Sequence, residues 1–241
     1  MLDSALIVDV ETTGLNPEND RIIEIGFVEF VLDESGRPAI VDSYGAVEDP
    51  GIEISKEITK ITGIENAHVK GRTIDWGKVR EAMERSQVII AHNMAFDKAF
   101  LLNRPELNGV ETHWACSMRH IDWAGKGYKT QALNYLAADH GFVNPFAHRA
   151  IFDCAATYRL IEPYIGELIE RSYEKEFKVI ARGAPFESKD ILKSNGYRWD
   201  PGQRVWAKVM GASKLEGERE FLESEVYSGN STHEEVELTG F

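Results

Sequence analysis

Cysteine, long apolar runs and positive charge are all scarce in this chain. Its two cysteines, Cys116 and Cys154, make neither a metal-ligand cluster nor a disulfide framework, so we expect reduced thiols. No apolar run approaches the ~18 residues that a membrane-spanning helix needs. The first residues carry no basic region before their apolar stretch, unlike a secretory signal. We therefore expect a cytoplasmic protein with no membrane partner.

The charge balance is acidic. Among 241 residues, 27 Lys and Arg stand against 40 Asp and Glu, and the net charge is −13. Proteins that coat duplex nucleic acid are usually basic, so that class is disfavoured. Excess carboxylate suits a protein that holds divalent cations and meets phosphate through them, but solubility alone is a sufficient explanation of net charge. Apolar residues at 43% allow a packed core, which excludes disorder of the whole chain.

Hydrophobic patterning sets residues 1–172 apart as an α/β domain. Three strand-like segments come first, and alternating helices and strands follow, which predicts a mixed sheet with helices on its faces. Gly36 and Pro38 indicate a tight connection between antiparallel neighbours. Strands are predicted over residues 5–11, 21–32, 38–47, 88–91 and 112–116. Helices are predicted over residues 76–85, 97–103, 130–140 and 149–170.

Charge divides the rest of the chain into two segments. Residues 175–214 are predicted to form a small basic α/β module, βαβ-like, with strands at 177–181 and 205–210. Eight basic and three acidic residues between Phe177 and Lys214 leave a net charge of +5. Residues 215–241 hold eight glutamates against Arg219. They predict an acidic helix to about Tyr227 followed by a disordered tail, which solvates the end of the chain or binds a partner.

Aromatic and basic residues alternate in the basic module. Arg198 and Trp199 lie in one such stretch, and Trp206 and Lys208 lie in another. Two interpretations are open: a grip for single-stranded nucleic acid, or a small packed appendage. We assign Trp206 to the core of the module because it falls in a predicted strand, and we leave Arg198 and Trp199 open.

The first chemically informative residues are Asp9 and Glu11. They lie two apart on the first predicted strand, so both side chains leave the same face of the sheet. Two carboxylates in an otherwise apolar strand repel each other and lose hydration, and a cation between them removes that cost. Pairing with a nearby Lys or Arg is the competing explanation. Two interpretations are open for the residues that follow: they bring backbone N–H groups close to a ligand, or they form a plain turn. These residues are Thr12, Thr13, Gly14 and Leu15.

Three further polar residues occupy helix starts. Asp97 opens a predicted helix after the strand 88–91, where an aspartate is commonly just a cap. His148 and Asp153 are five residues apart, so they do not share one face of a continuous helix. We place His148 in the loop before the helix and Asp153 in its first or second turn, from where both reach one cleft.

The ordered set of these residues resembles the DEDD exonuclease superfamily, in its histidine-containing branch. The resemblance lies in Asp-Val-Glu-Thr-Thr-Gly-Leu at 9–15, His-Asn-x-x-Phe-Asp at 92–97 and His-x-Ala-x-x-Asp at 148–153. Segments 61–64, 116–119 and 133–136 are similar to intermotif segments of that family. The likeness covers about residues 3–170. Within the superfamily the chain resembles the proofreading subunit of bacterial DNA polymerase III and also exodeoxyribonuclease X. It implies a ribonuclease H-like fold with a five-stranded mixed sheet flanked by helices.

The resemblance also implies a chemistry. Two Mg²⁺ or Mn²⁺ ions would be held by Asp9, Glu11, Asp97 and Asp153, and His148 would take the proton from the attacking water. The substrate would be the 3′ end of DNA, shortened in the 3′-to-5′ direction to nucleoside 5′-monophosphates. Substrate contacts are expected from Thr12, Thr13, Gly14, Leu15, Asn93 and Phe96.

Two alternative functions remain open. One is a 3′-5′ exoribonuclease, because the discrimination depends on how the pocket treats a 2′-hydroxyl. The other is a binding or tethering protein whose first domain docks on a replication partner, with incidental catalysis. The C-terminal third is a separate candidate for binding a replication or repair protein. The polymerase-binding tail of the proofreading subunit is not recognisable here, which weighs against that subunit's role.

Overall fold

The computed structural model describes residues 4–34 and 36–238. The chain forms two compact units, with the boundary along the sequence between Ser172 and Tyr173. The acidic segment predicted as a separate part belongs to the second unit together with the basic module. Among the residues described, no helix is both long and apolar enough to cross a membrane.

The first unit contains a five-stranded mixed sheet. Its strands are β1 (Ser4–Thr12), β2 (Ile22–Leu32), β3 (Pro38–Val47), β4 (Val88–Ala91) and β5 (His113–Cys116). The spatial order is β3-β2-β1-β4-β5. The pairs β1–β2 and β2–β3 are antiparallel, whereas β1–β4 and β4–β5 are parallel. The predicted mixed sheet of five strands is confirmed.

Seven helices accompany this sheet in the described part of the first unit. They are α1 (Lys56–Thr62), α2 (Asn66–Val69), α3 (Trp76–Arg85), α4 (Met94–Leu102), α5 (Leu133–Asp139), α6 (Ala150–Ile161) and α7 (Ile165–Ser172). The single helix predicted over 149–170 is wrong: a 3₁₀ turn at Glu162–Tyr164 separates α6 from α7. Pro163 lies in this turn and has no backbone N–H with which to continue an α-helix.

The strand β1 separates two hydrophobic cores by alternation. Leu6, Val8 and Val10 belong to the core that includes residues of α3 and α4. Ala5 and Ile7 belong to the core that includes residues of α6 and α7. The face that carries Ala5 and Ile7 continues toward the end of the strand with carboxylates instead of apolar side chains. Period-2 alternation therefore sets the polar residues of β1 on the α6 side of the sheet.

Helix α6 packs closely against β2 at Gly26. A Cβ atom on Gly26 would lie 2.4 Å from the carbonyl carbon of Ala150 and from the backbone nitrogen of Ile151. The Cys154 thiol donates a hydrogen bond to the Gly26 carbonyl, with 3.3 Å between the two atoms. Glycine is required here because any side chain would push the start of α6 away from the sheet.

The second unit has a four-stranded antiparallel sheet in the order β7-β8-β6-β9. Its elements are β6 (Glu176–Ala181), α8 (Lys189–Ser194), β7 (Arg198–Asp200), β8 (Val205–Gly211), α9 (Leu215–Phe221), a π-helical turn (Leu222–Val226) and β9 (Glu234–Leu238). This second sheet confirms the C-terminal module, but a βαβ arrangement is wrong in detail. The short strand β7 pairs with β8 as a hairpin, so β8 runs antiparallel to β6.

The predicted disordered tail also differs from the structure. Residues 234–238 form β9 at the edge of the sheet, paired with β6, while residues 239–241 lie outside the described residues. Glu235 of this strand accepts hydrogen bonds from the Arg219 guanidinium at 2.7 Å. Low hydrophobicity predicted disorder, but strand pairing and ion pairs to distant residues give the tail partners that composition does not reveal.

Candidate active site

Three carboxylates converge where β1 approaches the start of α6. Asp9 and Glu11 project from β1, and Asp153 lies in the first part of α6. One carboxylate oxygen of each residue lies within 4.8 Å of one from each of the others. In the register of β1 with β2, Asp9 is opposite Gly26. The missing side chain at Gly26 thus lets α6 bring Asp153 to the strand carboxylates.

Asp97 reaches β1 from α4, on the other side of the sheet. Its Oδ1 accepts a hydrogen bond from the backbone N–H of Val10 at 3.0 Å. Val10 lies beyond the last paired residues of β1 and β4, Ile7 and Ile90, so its N–H has no acceptor from that strand. The buried Asp97 is thereby fixed beside the other carboxylates, and its charge raises the pKa of Asp9.

His148 lies in the loop immediately before α6 and is exposed to solvent. Its backbone has φ = 62°, a left-handed conformation that is uncommon outside glycine. Desolvation raises the pKa of Asp153, and this rise is partly offset by the charge of the His148 imidazole and by hydrogen bonds from the backbone N–H groups of His148 and Arg149. The structure therefore places His148 in the loop and beside Asp153.

Burial makes the ionised carboxylates costly. Desolvation, with the nearby Asp153 and Glu24, raises the pKa of Glu11 to about 8. Desolvation raises the pKa of Asp97 to about 7 and that of Asp153 to about 6. Burial together with Asp97 and Asp153 holds the pKa of Asp9 well above its usual range. A group of mutually repelling carboxylates with oxygen-only donors fits a hard divalent cation, which would remove the repulsion.

Sequence reasoning missed Glu24, which organises the start of α6. Glu24 is buried on β2 opposite Glu11. Its carboxylate accepts hydrogen bonds from the Arg149 guanidinium at 2.8 and 3.0 Å and from the backbone N–H of Ala150 at 3.0 Å. The signal was a glutamate inside the apolar run of β2, which Glu29 of the same strand shares. Asn144, which had no such signal, donates a hydrogen bond to Asp153 at 2.7 Å.

The turn after β1 is tied back to β2. The N–H of Thr13 donates to the carbonyl of Arg21 at 2.8 Å, and the Thr12 hydroxyl donates to the carbonyl of Gly14. Gly14 lies so close to the Asp20 carboxylate that a Cβ would meet it at 2.4 Å. These contacts hold the backbone that follows the strand carboxylates.

The remaining predicted substrate residues lie on this turn and at the start of α4. Leu15 is 84% exposed, which leaves its side chain free of the core. Asn93 is exposed, and its carbonyl accepts the N–H of Phe96 at 2.9 Å. Phe96 is half-buried, with its ring 4.9 Å from that of Phe100. The structure therefore leaves Leu15 and Asn93 available to a ligand while Phe96 packs partly into the core.

The fold and the site define a nuclease-like domain, and the comparisons identify its family. The family model of exonucleases called RNase_T matches residues 6–161, and the chain belongs to this exonuclease family. Membership of the DEDD exonuclease superfamily, predicted from the three motifs, is thereby confirmed.

Individual relatives cover only part of this chain. The PolC-type DNA polymerase III of Clostridium perfringens is 34% identical over 166 residues, which are 66% of this chain and 11% of that protein. The chain therefore spans about a tenth of the length of the curated relatives it matches.

Solved structures show the same fold at low identity. Exonuclease X in complex with 5′ overhanging duplex DNA has a TM-score of 0.51 and 22% identity, covering 67% of this chain and 91% of that chain. A 3′-exonuclease that recognises a histone mRNA stem-loop has a TM-score of 0.55 and 18% identity, covering 69% and 83%. The ribonuclease H-like exonuclease fold of the first unit is confirmed.

Proposed function

We propose that this chain is a metal-dependent 3′-5′ exonuclease that hydrolyses the phosphodiester bonds of DNA, at single strands or 3′ ends. The observation that carries the proposal is the convergence of Asp9, Glu11 and Asp153, with carboxylate oxygens within 4.8 Å of one another. The raised pKa values of these groups support it, because only a counter-charge makes the ionised cluster favourable.

The chain's own residues have distinct roles in this proposal. Asp9, Glu11 and Asp153 hold Mg²⁺ or Mn²⁺, and Asp97 completes the set of four carboxylates. Two such ions, when bound, stabilise the attacking and leaving oxygens of an in-line displacement at phosphorus. His148, exposed beside Asp153, accepts the proton of the attacking water, a role suited to an imidazole. This assigns the chain to the histidine-containing branch.

The contacts that we propose between the loops and the substrate explain the 3′-to-5′ direction of hydrolysis and the tolerance of any base. The backbone of Thr12, Thr13 and Gly14 adjoins the terminal 3′-hydroxyl, and the exposed Leu15 packs against the last base. Phe96 also packs against the last bases, and Asn93 lines the pocket. Apolar and aromatic packing recognises no base edge, so hydrolysis proceeds with little sequence preference. The products are nucleoside 5′-monophosphates.

The choice of DNA as substrate is supported by the relatives and has one competitor. The curated relatives include PolC-type DNA polymerases, and exonuclease X was solved with DNA. The similar 3′-exonuclease that recognises histone mRNA keeps RNA as the second candidate. The polymerase relatives also support a place in DNA replication or repair in the cytoplasm, where a protein partner would bind outside the exonuclease domain.

The test is digestion of 3′- and 5′-labelled single-stranded DNA and RNA of matched sequence, with Mg²⁺, Mn²⁺ or a chelator. Wild type is expected to shorten DNA from its 3′ end only with metal, and faster than RNA. Asp9→Ala is expected to abolish hydrolysis, and His148→Ala to slow it by about 10²–10⁴-fold, the usual contribution of a general base. Faster digestion of RNA would select the second candidate, and metal-independent hydrolysis would contradict the proposal.

A further inference from the structure

At least half of the Lys and Arg side chains in the second unit form ion pairs with its own carboxylates. Its 69 residues, 173–241, contain ten Lys and Arg and thirteen Asp and Glu, so its net charge is 10 − 13 = −3. Lys208 lies 2.7 Å from Glu218, and Lys175 lies 2.9 Å from Glu237. The basic character predicted for residues 175–214 is therefore largely cancelled once the acidic segment joins the same unit.

Among the described cations that have no carboxylate partner, three occur near one hairpin. Arg198 lies on β7, Arg204 precedes β8, and Lys193 lies in the last turn of α8, three residues before Gly196. All three are exposed, and none forms an ion pair with any residue of 4–34 or 36–238. Positive charge is thus left uncompensated around the α8–β7–β8 segment.

The same segment presents an aromatic surface. Trp199 of β7 is paired with Trp206 of β8, and their ring centroids are 5.6 Å apart. Trp206 packs against the core of the unit, as expected from its place in a strand, whereas Trp199 is 49% exposed. A tryptophan half in solvent, backed by a second ring, is a preformed stacking platform with little side-chain freedom left to lose.

We propose that Trp199, Arg198, Arg204 and Lys193, here called the hairpin surface, bind single-stranded DNA. The exposed indole stacks on a base, and the three unpaired cations contact phosphates on either side of it. Charge complementarity supports this occupant, because these cations are exposed and uncompensated in a unit that is otherwise acidic. The choice of DNA over RNA rests on the proposed function of the first unit.

A single strand fits this surface better than a duplex does. Stacking on Trp199 needs an unpaired base whose face is free, and a duplex offers such a face only at its ends. Three cations neutralise little of the dense phosphate charge of a duplex, and the acidic residues of the rest of the protein would repel the remaining charge. The hairpin surface therefore selects unpaired strands without reading their sequence.

The test measures binding of the full chain, in a chelator, to fluorescent 20-nucleotide single-stranded DNA, matched RNA and blunt duplex by anisotropy. Trp199→Ala is expected to weaken single-stranded DNA binding about tenfold, and Trp199→Phe to restore most of it. Arg204→Ala is expected to flatten the salt dependence by about 0.7 in slope, as one phosphate contact predicts. Phe186→Ala is the matched control: this aromatic of the same unit is 76% exposed but lies outside the hairpin surface.

Two results would overturn the proposal. One is an unchanged affinity of Trp199→Ala with its circular dichroism intact, and the other is tighter binding of duplex or RNA than of single-stranded DNA. The same variants separate this inference from the proposed function. If Trp199→Ala weakens binding but wild type hydrolyses no substrate, only the proposed exonuclease activity is refuted. If wild type hydrolyses DNA but Trp199→Ala binds it normally, only the hairpin surface is refuted.

Discussion

At the scale of single residues, the carboxylates of the first unit are poised between protonation and cation binding. Burial and mutual repulsion raise the pKa of Glu11 to about 8, of Asp97 to about 7 and of Asp153 to about 6. Such values disfavour the ionised form of the metal-free protein. A bound divalent cation reverses this preference, so metal and proton compete for the same oxygens.

This competition predicts a pH-dependent stability. A carboxyl whose pKa is raised by folding binds protons more tightly in the folded state than in the unfolded chain. Its contribution to stability is therefore fully present below about pH 4, decreases as the pH rises, and is lost once the pH exceeds the pKa of the folded state. The melting temperature of the metal-free protein is therefore expected to fall from pH 5 to pH 8. Saturating Mg²⁺ should raise it at pH 8 more than at pH 5, which thermal melts in chelator and in Mg²⁺ will show.

The control for this prediction is Asp9→Asn. His92 and His113, whose pKa values are lowered by burial, act in the opposite direction below about pH 6.5, and this variant leaves them unchanged. The fall between pH 5 and pH 8 should be smaller in Asp9→Asn than in wild type. Equal pH profiles in the two proteins would contradict the carboxylate account.

Glu24 is predicted to position the start of α6. Glu24→Ala leaves the Arg149 guanidinium and the Ala150 N–H without their acceptor, and we expect a loss of about 2 kcal/mol in the free energy of unfolding. Denaturant unfolding measures that loss. We also expect weaker Mn²⁺ binding, because Asp153 lies on the same helix.

Glu29→Ala is the matched control for Glu24→Ala. Glu29 is also buried on β2 and accepts hydrogen bonds from the Arg85 guanidinium, but Arg85 ends α3 and does not lead into α6. Both variants should lose stability, and only Glu24→Ala should lose metal affinity. Equal metal affinity in the two variants would refute the positioning role.

At the scale of elements, local patterning predicted the strands well and the helix contacts poorly. The alternation of β1 placed Asp9 and Glu11 on one face, and the predicted strands at 38–47 and 88–91 agree with β3 and β4. Helices α1 and α2 were missed, although Ser55 caps α1 and Gly63 ends it in a left-handed conformation. The approach of α6 to Gly26 was unpredictable, because it joins residues more than 120 positions apart.

Gly26→Ala is predicted to be strongly destabilising. The new Cβ would lie 2.4 Å from the backbone of α6, so the helix must shift, at a cost of about 3 kcal/mol. Because the shift carries Asp153, Mn²⁺ affinity should fall as well. Denaturant unfolding and metal titration measure the two effects.

Gly166→Ala provides the contrasting variant. Gly166 is exposed in α7, and a Cβ there meets nothing within 4 Å. Alanine favours helix over glycine by about 0.5–1 kcal/mol, so this variant should be more stable than wild type with metal binding unchanged. A Gly26→Ala protein as stable as Gly166→Ala would show that the close packing of α6 is not required.

At the scale of the whole molecule, the two units have separate cores. The residues that build the first unit's two main cores all lie before Ser172, and those of the second unit's core lie after it. Hydrophobic patterning predicted the first boundary at this position, whereas charge wrongly separated residues 215–241 from the basic module. Charge could not reveal that β9 pairs with β6, because strand pairing is a long-range contact.

Because the two units have separate cores, we expect residues 1–172 to fold and to bind metal without the second unit. The truncated protein is expected to give a cooperative thermal transition and to bind Mn²⁺ with the affinity of the full chain, since every carboxylate of the site lies within it. Calorimetry and metal titration check this. An unfolded or non-binding fragment would show that the second unit is needed for the site.

Together, Asp9, Glu11 and Asp153 are expected to bind a divalent cation, and isothermal titration of Mn²⁺ into the metal-free protein measures this binding. We expect saturable binding that is suppressed at pH 5, competed by Mg²⁺ and abolished in Asp9→Asn, with the circular dichroism of that variant unchanged. Binding of Mn²⁺ to Asp9→Asn with the wild-type affinity would show that these carboxylates do not form the metal site.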